Sequence, residues 1–314
     1  VIDRVKPDLL VNDVFHYAGS LGAECAAIPW ADCWTAGVMH PASAIRPPGI
    51  TVAEMRAMLR GFDVDMNAVR SALGLAAREA DAFISPSPWL QIYTGLAELE
   101  GGIPELGGSA VFVGPCFPRR KEQTESFPWA WLEGETPLVY VSLGTFFNKR
   151  AAFFRRIIEA LGGTPCKVVI SSPFANRRGF RTLPDNIRMF RRVPQLRLLS
   201  QAQLFITHGG NNSVYEALYA GVPMLVTPIG GEQQYNAARV SWLGLGGQAE
   251  IGQCFAAELR QQALAILADA AVRERVRQVR DDTRRTNGPV RSPSGGAPHK
   301  RGPPGAPGRY RSNR

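Results

Sequence analysis

Side chains that could hold a phosphate group follow directly after a predicted strand at residues 204–207. His208 and two glycines, the second of them Gly210, come first, and Asn212 and Ser213 then begin a predicted helix. A glycine turn between a strand and a helix presents unbonded backbone N–H groups and the positive end of the helix dipole. His208, Asn212 and Ser213 can add side-chain hydrogen bonds. The stretch therefore predicts an anion site suited to phosphate.

Acidic and amide side chains follow at positions suited to hydroxyl groups. Glu216 lies one turn into the predicted helix, where its carboxylate can accept hydrogen bonds from ribose hydroxyls. After a second predicted strand at residues 223–227, Glu232 and Gln233 stand in a glycine-rich loop before a helix predicted over residues 234–243. Ligands of open α/β sheets bind at the carboxyl ends of the strands. An acid beside an amide at this edge predicts a nucleotide-sugar site.

The order of these residues resembles the donor-binding signature of the family 1 glycosyltransferases, which transfer sugars from nucleotide donors to lipophilic acceptors. The run between His208 and Ala237 is His-Gly-Gly-x-Asn-Ser-x-x-Glu-Ala-Leu, then Gly-Val-Pro, then Pro-x-x-x-Glu-Gln-x-x-Asn-Ala. A lone glycine turn is weak evidence, whereas about ten ordered matches over about thirty residues are specific. The resemblance implies an α/β protein of the GT-B fold, in which two Rossmann-like domains with parallel sheets face each other across a cleft.

A second predicted phosphate loop precedes this stretch. Residues 137–145 form an apolar run that ends in Ser-Leu-Gly-Thr, where Gly144 permits close backbone approach and Thr145 supplies a hydroxyl. The resemblance implies that the nucleobase lies beside Val193 and that Gln195 lies close to the base or ribose. Many relatives have a stacking tryptophan where this chain has Arg192. Its guanidinium could stack on the base or remain a solvated surface charge.

Residues 1–118 alternate predicted strands and helices, which argues for a parallel sheet, and they resemble an acceptor-binding domain without its beginning. Family members begin with a strand and a loop that carries the general base, a histidine, so we expect roughly ninety residues and that base to be absent. Asp13 ends a predicted strand and is the expected partner of the missing histidine, with helix capping as the alternative. His16 and His40 occupy positions where the family has no catalytic base. We therefore expect them at the surface or in the acceptor pocket.

Aromatic residues in the first half could line a pocket for a flat or greasy acceptor. Trp30, Trp34 and Met39 lie where acceptor-contacting segments are expected, although packing in the core is the alternative. The other elements predicted in this half are helices over residues 52–60 and 67–80 and strands over residues 81–85 and 111–115.

The composition changes twice along the rest of the chain. Residues 119–136 are polar and charged around a short predicted helix, and we expect them to be an interdomain linker. Residues 137–291 form the predicted donor-binding domain. Residues 292–314 are rich in Gly, Pro, Ser and Arg, a composition typical of disorder. Because relatives end in a helix that crosses back to the first domain, we expect this tail to be out of frame.

Composition argues against several other classes of protein. The net charge is +9, but residues 284–314 hold eight basic and no acidic residues, so the remainder is nearly neutral and a nucleic-acid groove is not indicated. No stretch of about 18 apolar residues could span a bilayer, and no secretory signal is visible, so a cytoplasmic location is expected. The five scattered cysteines predict free thiols. No Gly-x-Gly-x-x-Gly follows a strand, which argues against a dehydrogenase.

The resemblance implies an inverting transferase, which we expect to move a hexose from a UDP-sugar to a hydroxyl of a lipophilic acceptor, without metal or cofactor. No Asp-x-Asp motif is present, so helix dipole and N–H donors would stabilise the leaving group. Glu232 and Gln233 favour a fully hydroxylated hexose such as glucose, since a deoxysugar would leave them unpaired. Glu216 fits an intact ribose, which favours UDP over dTDP. The alternatives are another GT-B activity and a donor-binding remnant or auxiliary protein without its own base.

Overall fold

The computed structural model describes residues 2–14, 16–35, 66–77, 87–96, 99, 110–117, 127–145, 148–230, 232–250 and 255–285. These residues form two parallel sheets, of four and six strands, with helices in most of the connections between strands. The α/β class predicted from the alternation of elements is therefore confirmed. The predicted elements at residues 52–60 and 81–85 and the tail at 292–314 lie outside the described residues, as do Met39 and His40.

The first sheet has its four strands in chain order, and each pairs in parallel with the next. The strands are β1 (Leu10–Asp13), β2 (Trp30–Trp34), β3 (Leu90–Tyr93) and β4 (Ala110–Phe112). Helix α1 (Ile2–Val5) precedes β1, α2 (Tyr17–Cys25) connects β1 to β2, and residues 66–72 are helical, a shorter span than predicted. Strand β3 was not predicted. The prolines at 86 and 88 were interpreted as the end of a strand at residues 81–85, so no further strand was expected directly after them.

Aromatic rings at the ends of three strands form the core of this sheet. Trp34 stacks on Tyr93 with 5.0 Å between ring centroids, and Tyr93 stacks on Phe112 at 4.9 Å. Trp30 and Trp34 are only 5% and 6% exposed. Both tryptophans therefore belong to the core, which was the alternative to a place on the acceptor surface.

The second sheet is six-stranded, in the order β10-β9-β8-β5-β6-β7, with every pair parallel. Its strands are β5 (Leu138–Ser142), β6 (Lys167–Ser171), β7 (Ile187–Phe190), β8 (Leu204–Thr207), β9 (Met224–Val226) and β10 (Gly246–Gln248). Its helices are α3 (Ala151–Leu161), α4 (Gln195–Leu199), α5 (Asn211–Ala220), α6 (Glu232–Trp242), α7 (Ala256–Ala268) and α8 (Ala270–Arg285).

Helices cover both faces of the second sheet, which explains why its central strands are continuous apolar runs. All five residues of β5 are buried. Val139 and Val141 pack into the cluster on one face of the sheet, and Leu138 and Tyr140 pack into the cluster on the other. Burial on both faces is the usual arrangement for parallel strands. The central position of β5 fixes the loop after it at the middle of the sheet's carboxyl edge.

A 3-10 helix, Trp129–Leu132, precedes the second sheet and packs against it. The guanidinium of Arg197 lies 4.1 Å from the ring centroid of Trp129, and that of Arg188 lies 4.8 Å from the ring of Trp131. Leu132 is buried in the same cluster as β5. These contacts fix the end of the predicted linker to the second domain.

Candidate functional site

A cleft of about 1290 Å³ lies at the carboxyl edge of the second sheet. Thr35, Thr94 and Cys116, which follow strands of the first sheet, contribute to its lining. The structure brings ten of the predicted donor-site residues to this cleft: Gly144, Thr145, Val193, Gln195, His208, Gly210, Asn212, Ser213, Glu232 and Gln233. Glu216 and Asp13 are not among the lining residues.

The imidazole of His208 is held between two glycines. A Cβ atom at Gly144 would lie 2.6 Å from His208 Cε1, and one at Gly210 would lie 2.6 Å from His208 Nε2. Real Cβ atoms do not approach other atoms so closely, so any larger residue at either position would displace the ring. The absence of a Cβ at these two glycines therefore leaves room for the imidazole. Through the His208 ring, the loop after β5 packs against the turn after β8.

The turn after β8 needs glycine for a second reason. Gly209 has φ of +84°, and a Cβ atom there would lie 2.6 Å from Val226 Cγ1. Asn236 fixes the turn from the side, because its Nδ2 donates to the carbonyl of Gly209 and to Oδ1 of Asn211, both at 2.7 Å. We did not predict a role for Asn236. Its place in the Asn-Ala end of the sequence motif was the available signal.

Helix α5 opens toward the cleft with an uncapped N-terminus. Its N-cap is Gly210, which has no side chain that could accept a hydrogen bond from the first turn. The helix begins at Asn211, one residue earlier than predicted, so the backbone N–H groups of Asn211, Asn212 and Ser213 precede the first possible intrahelical bonds. Together with the positive end of the helix dipole, these donors favour a bound anion.

Burial of His208 controls its charge. Desolvation lowers the pKa of His208 from 6.5 to about 4, so the imidazole is neutral near pH 7. A neutral imidazole carries one N–H. With Nδ1 lying 3.5 Å from Thr207 Oγ1, the ring can direct an Nε2–H toward the cleft without bringing a second charge into the site.

Polar contacts hold the start of the loop after β5, residues 143–145. Gly144 has φ of +69°, and its N–H donates to Ser142 Oγ at 3.2 Å. Asn148 Nδ2 donates to the carbonyl of Gly144 at 2.9 Å. Thr145 is exposed at the cleft. The predicted phosphate loop is thus a fixed turn with an accessible hydroxyl, and Asn148, whose role was not predicted, stabilises it.

The region predicted for ribose contains a chain of hydrogen bonds. Tyr140 Oη donates to Gln195 Oε1 at 2.7 Å, and Gln195 Nε2 donates to Glu216 Oε2 at 2.5 Å. Both ends of the Gln195 amide are therefore occupied. Gln195 also lines the cleft, so its expected place close to the base or ribose stays a prediction. In the structure Gln195 orients the carboxylate of Glu216, which is not itself among the lining residues.

Glu232 and Gln233 are placed differently from the prediction. They form the first turn of α6 instead of a loop before it. Gln233 is 3% exposed, and its Oε1 accepts a hydrogen bond from the Ile229 N–H at 2.8 Å. A single donor group, Nε2, is therefore left for a sugar hydroxyl. Glu232 lines the cleft beside it with its carboxylate at the helix N-terminus, where the dipole stabilises negative charge.

Asp13 lies at the end of β1, near the part of the cleft formed by the first sheet. Its Oδ2 accepts a hydrogen bond from Thr35 Oγ1 at 3.2 Å, and Thr35 lines the cleft. The N-cap of α2 is His16, so Asp13 does not stand at the cap position. His16 Nδ1 lies 3.8 Å from Asp13 Oδ1, with 81% of its side chain exposed, which corresponds to the predicted surface position.

Within the described part of the chain, no group of three His, Cys, Asp or Glu side chains could hold a metal ion, and no helix is long and apolar enough to cross a membrane. Cys25, Cys33, Cys116 and Cys166 are free, as predicted, and Cys254 lies outside the described residues. Burial raises the pKa of the Cys33, Cys116 and Cys166 thiols, which disfavours the reactive thiolate.

Comparison with known sequences identifies a family and several relatives. The profile described as UDP-glucoronosyl and UDP-glucosyl transferase matches residues 109–281, more than half of the chain. The chain is 36% identical to the NDP-glycosyltransferase YjiC of Bacillus licheniformis over 178 residues, which are 56% of this chain and 45% of that protein. It is 32% identical to the oleandomycin glycosyltransferase of Streptomyces antibioticus over 58% of this chain and 42% of that protein. The chain thus spans about half the length of the curated relatives it matches.

Solved structures resemble both sheets. CalG4, the calicheamicin glycosyltransferase, superposes with a TM-score of 0.74 at 26% identity, over 92% of this chain and 72% of that one. The glycotransferase of kitacinnamycin superposes with a TM-score of 0.75 at 25% identity, over 91% and 74% of the two chains. These neighbours confirm the predicted GT-B fold.

Proposed function

The chain belongs to the UDP-glucoronosyl and UDP-glucosyl transferase family, and we propose that it binds a UDP-sugar and transfers the hexose to a hydroxyl of a lipophilic small molecule. The observation that carries this proposal is the place of His208. Its neutral imidazole, seated between Gly144 and Gly210, faces the same space as the open N-terminus of α5. That combination suits the diphosphate of a nucleotide sugar.

The diphosphate would be bound by four kinds of donor. They are the N–H groups at the start of α5, the hydroxyls of Ser213 and Thr145, the Asn212 amide and the Nε2–H of His208. As the bond to the sugar breaks, negative charge grows on the phosphate, and fixed donors in a partly buried site stabilise that charge without reorganising. We propose that this arrangement takes the place of a metal ion.

The acceptor would bind on the opposite wall of the cleft. Inversion requires the acceptor hydroxyl to attack from the face opposite the departing phosphate, and a base must remove its proton. Asp13, held by Thr35 beside this wall, would stabilise the protonated form of such a base. The expected base, a histidine, would belong to the segment that relatives have ahead of this strand. CalG4 and the oleandomycin enzyme are named for natural products, which supports an acceptor of that class.

The donor would be recognised at the ribose and at the sugar. Glu216, oriented by Gln195, would accept from ribose hydroxyls, and this favours UDP because dTDP lacks the 2′-hydroxyl. Glu232 would accept from sugar hydroxyls, and Gln233 would donate to one through Nε2. A fully hydroxylated hexose such as glucose would pair both side chains, whereas a deoxysugar would leave one unpaired at a cost of about 1–3 kcal/mol.

The test is transfer from UDP-glucose and from dTDP-glucose to a panel of phenolic and macrolide acceptors, by the chain joined to the segment that carries the expected base, followed by NMR of the product anomer. We expect a β-glucoside from the α-linked donor, with UDP-glucose preferred. The Gln233→Ala protein should lose discrimination between glucose and a deoxyglucose donor. Donor binding without any product, even with the base-bearing segment present, would instead support a donor-binding or auxiliary protein, and a product that keeps the α configuration would refute inversion.

A further inference from the structure

The near-neutral charge of the folded part conceals a concentrated basic region. Between residues 149 and 192 the chain has eleven Lys and Arg but only two Asp and Glu. The acidic pair, Glu159 and Asp185, lies near the end of α3 and just before β7. In a parallel sheet both of those places are at the amino edge, away from the cleft. The two edges of the sheet therefore differ in charge, because the acidic residues of this region lie at the amino edge only.

Most of these cations lie at the carboxyl edge of three neighbouring strands, β5, β6 and β7. The loops that follow these strands hold seven basic residues, all exposed, and no acidic residue in residues 143–150, 172–183 or 191–194. We call this set the basic edge, and it consists of Lys149, Arg150, Arg177, Arg178, Arg181, Arg191 and Arg192.

The basic edge adjoins the candidate diphosphate site. Arg191 and Arg192 line the cleft themselves, and Lys149 and Arg150 directly follow the lining residue Asn148. Arg177 and Arg178 are four and five residues beyond the lining residue Pro173. The set thus extends from the wall of the cleft to the surface beside its mouth.

We propose that the basic edge accelerates capture of the anionic nucleotide donor by long-range attraction, with Arg177 and Arg178 acting without touching it. This inference rests on the proposed function, because it needs a diphosphate ligand at the carboxyl edge. A surface of one sign beside a cleft concentrates counter-charged ligands and raises association rates by about 10- to 1000-fold. The effect decreases with salt, since the Debye length falls from about 30 Å at 0.01 M to about 8 Å at 0.15 M.

The proposal separates the cations into two groups with different kinetic effects. Arg191 and Arg192 can contact the nucleotide, so their loss would change both association and dissociation. Arg177 and Arg178 lie outside the lining residues, so their loss would change association alone. Electrostatic steering acts on the association rate, whereas lost contacts act mainly on dissociation.

The experiment is stopped-flow association of a fluorescent UDP analogue with the full chain at several salt concentrations. The Arg177→Gln/Arg178→Gln protein should associate about fivefold more slowly than wild type at about 0.02 M salt, with an unchanged dissociation rate. The difference should fall below about twofold at about 0.5 M salt, where the Debye length is only a few ångströms. The matched control is Arg4→Gln/Lys6→Gln, which removes the same charge at and after α1, at the amino edge of the first sheet, and should behave as wild type.

Three results would overturn the inference, and each of them differs from the result that would refute the proposed function. Equal association rates for wild type and the Arg177→Gln/Arg178→Gln protein at low salt would exclude steering by these residues. An effect confined to dissociation would indicate a direct contact instead. An equal loss in the Arg4→Gln/Lys6→Gln control would show dependence on net charge rather than on the basic edge. A wild-type chain that binds no UDP at any salt would refute the proposed function itself.

Discussion

Replacing Gly210 by alanine tests the place of His208 with a single methyl group. Gly210 has φ of −63° and ψ of 145°, a conformation that alanine adopts without strain. The added Cβ would lie 2.6 Å from His208 Nε2 and 3.1 Å from His208 Cε1. The imidazole must therefore move, while the turn and helix α5 can stay in place.

The expected loss follows from the hydrogen bond that the displaced ring can no longer make. A hydrogen bond to a charged group contributes about 1.5–3 kcal/mol, which corresponds to about a 10- to 150-fold weaker affinity for UDP-glucose. Calorimetry on the Gly210→Ala protein would measure it. Gly247→Ala is the matched control, because the nearest atom to its Cβ would be Ile266 Cδ1 at an ordinary 3.4 Å.

A double mutant distinguishes displacement of the ring from damage to the turn. In a His208→Ala background the methyl of Gly210→Ala has no imidazole to displace, so the second substitution should cost less than about twofold. Wild-type affinity in Gly210→Ala would refute the reasoning. So would an undiminished loss from the same substitution in the His208→Ala protein.

Three further predictions concern pH, the ribose region and the turn. The pKa of His208 is lowered from 6.5 to about 4, so between these pH values the unfolded chain binds a proton at this residue that the folded chain does not. The free energy of unfolding should therefore fall by up to about 3 kcal/mol as the pH decreases from 6.5 to 4. Urea titrations should show a smaller fall in His208→Gln. Tyr140→Phe removes the donor that fixes the Gln195 amide, and it should raise the KM for UDP-glucose severalfold while leaving kcat nearly unchanged. Gly209→Ala should lower the unfolding free energy by about 1–3 kcal/mol, because φ is +84° and its Cβ would meet Val226; a wild-type urea midpoint would contradict this.

The second domain was predictable because its local signals agree with its tertiary structure. The apolar runs of β5, β6 and β8 are each bounded by polar or glycine residues, and the predicted positions of these strands and of β7 match the observed strands closely. A strand buried on both faces needs an uninterrupted apolar run, which is visible in a single sequence. The turn at Gly209 and Gly210 was equally visible, since its glycines are required by backbone conformation and close packing.

Positions that depend on partners distant in sequence could not be predicted. The Gln195 amide is oriented by Tyr140, 55 residues earlier in the chain, and by Glu216, 21 residues later. The start of α6 at Glu232 depends on packing that a glycine-rich sequence does not reveal. Strand β10 contains two glycines and is stabilised by pairing with β9, so its own residues gave no strand signal.

The central claim is that a nucleoside diphosphate binds where His208 meets the N-terminus of α5. Calorimetric titration of the full chain with UDP and with dTDP, for wild type and His208→Ala side by side, tests it most directly. The account predicts one UDP bound per chain, more tightly than dTDP, with an affinity that falls at least about tenfold in His208→Ala. No heat of binding with either nucleotide, or equal UDP affinity in the two proteins, would contradict it.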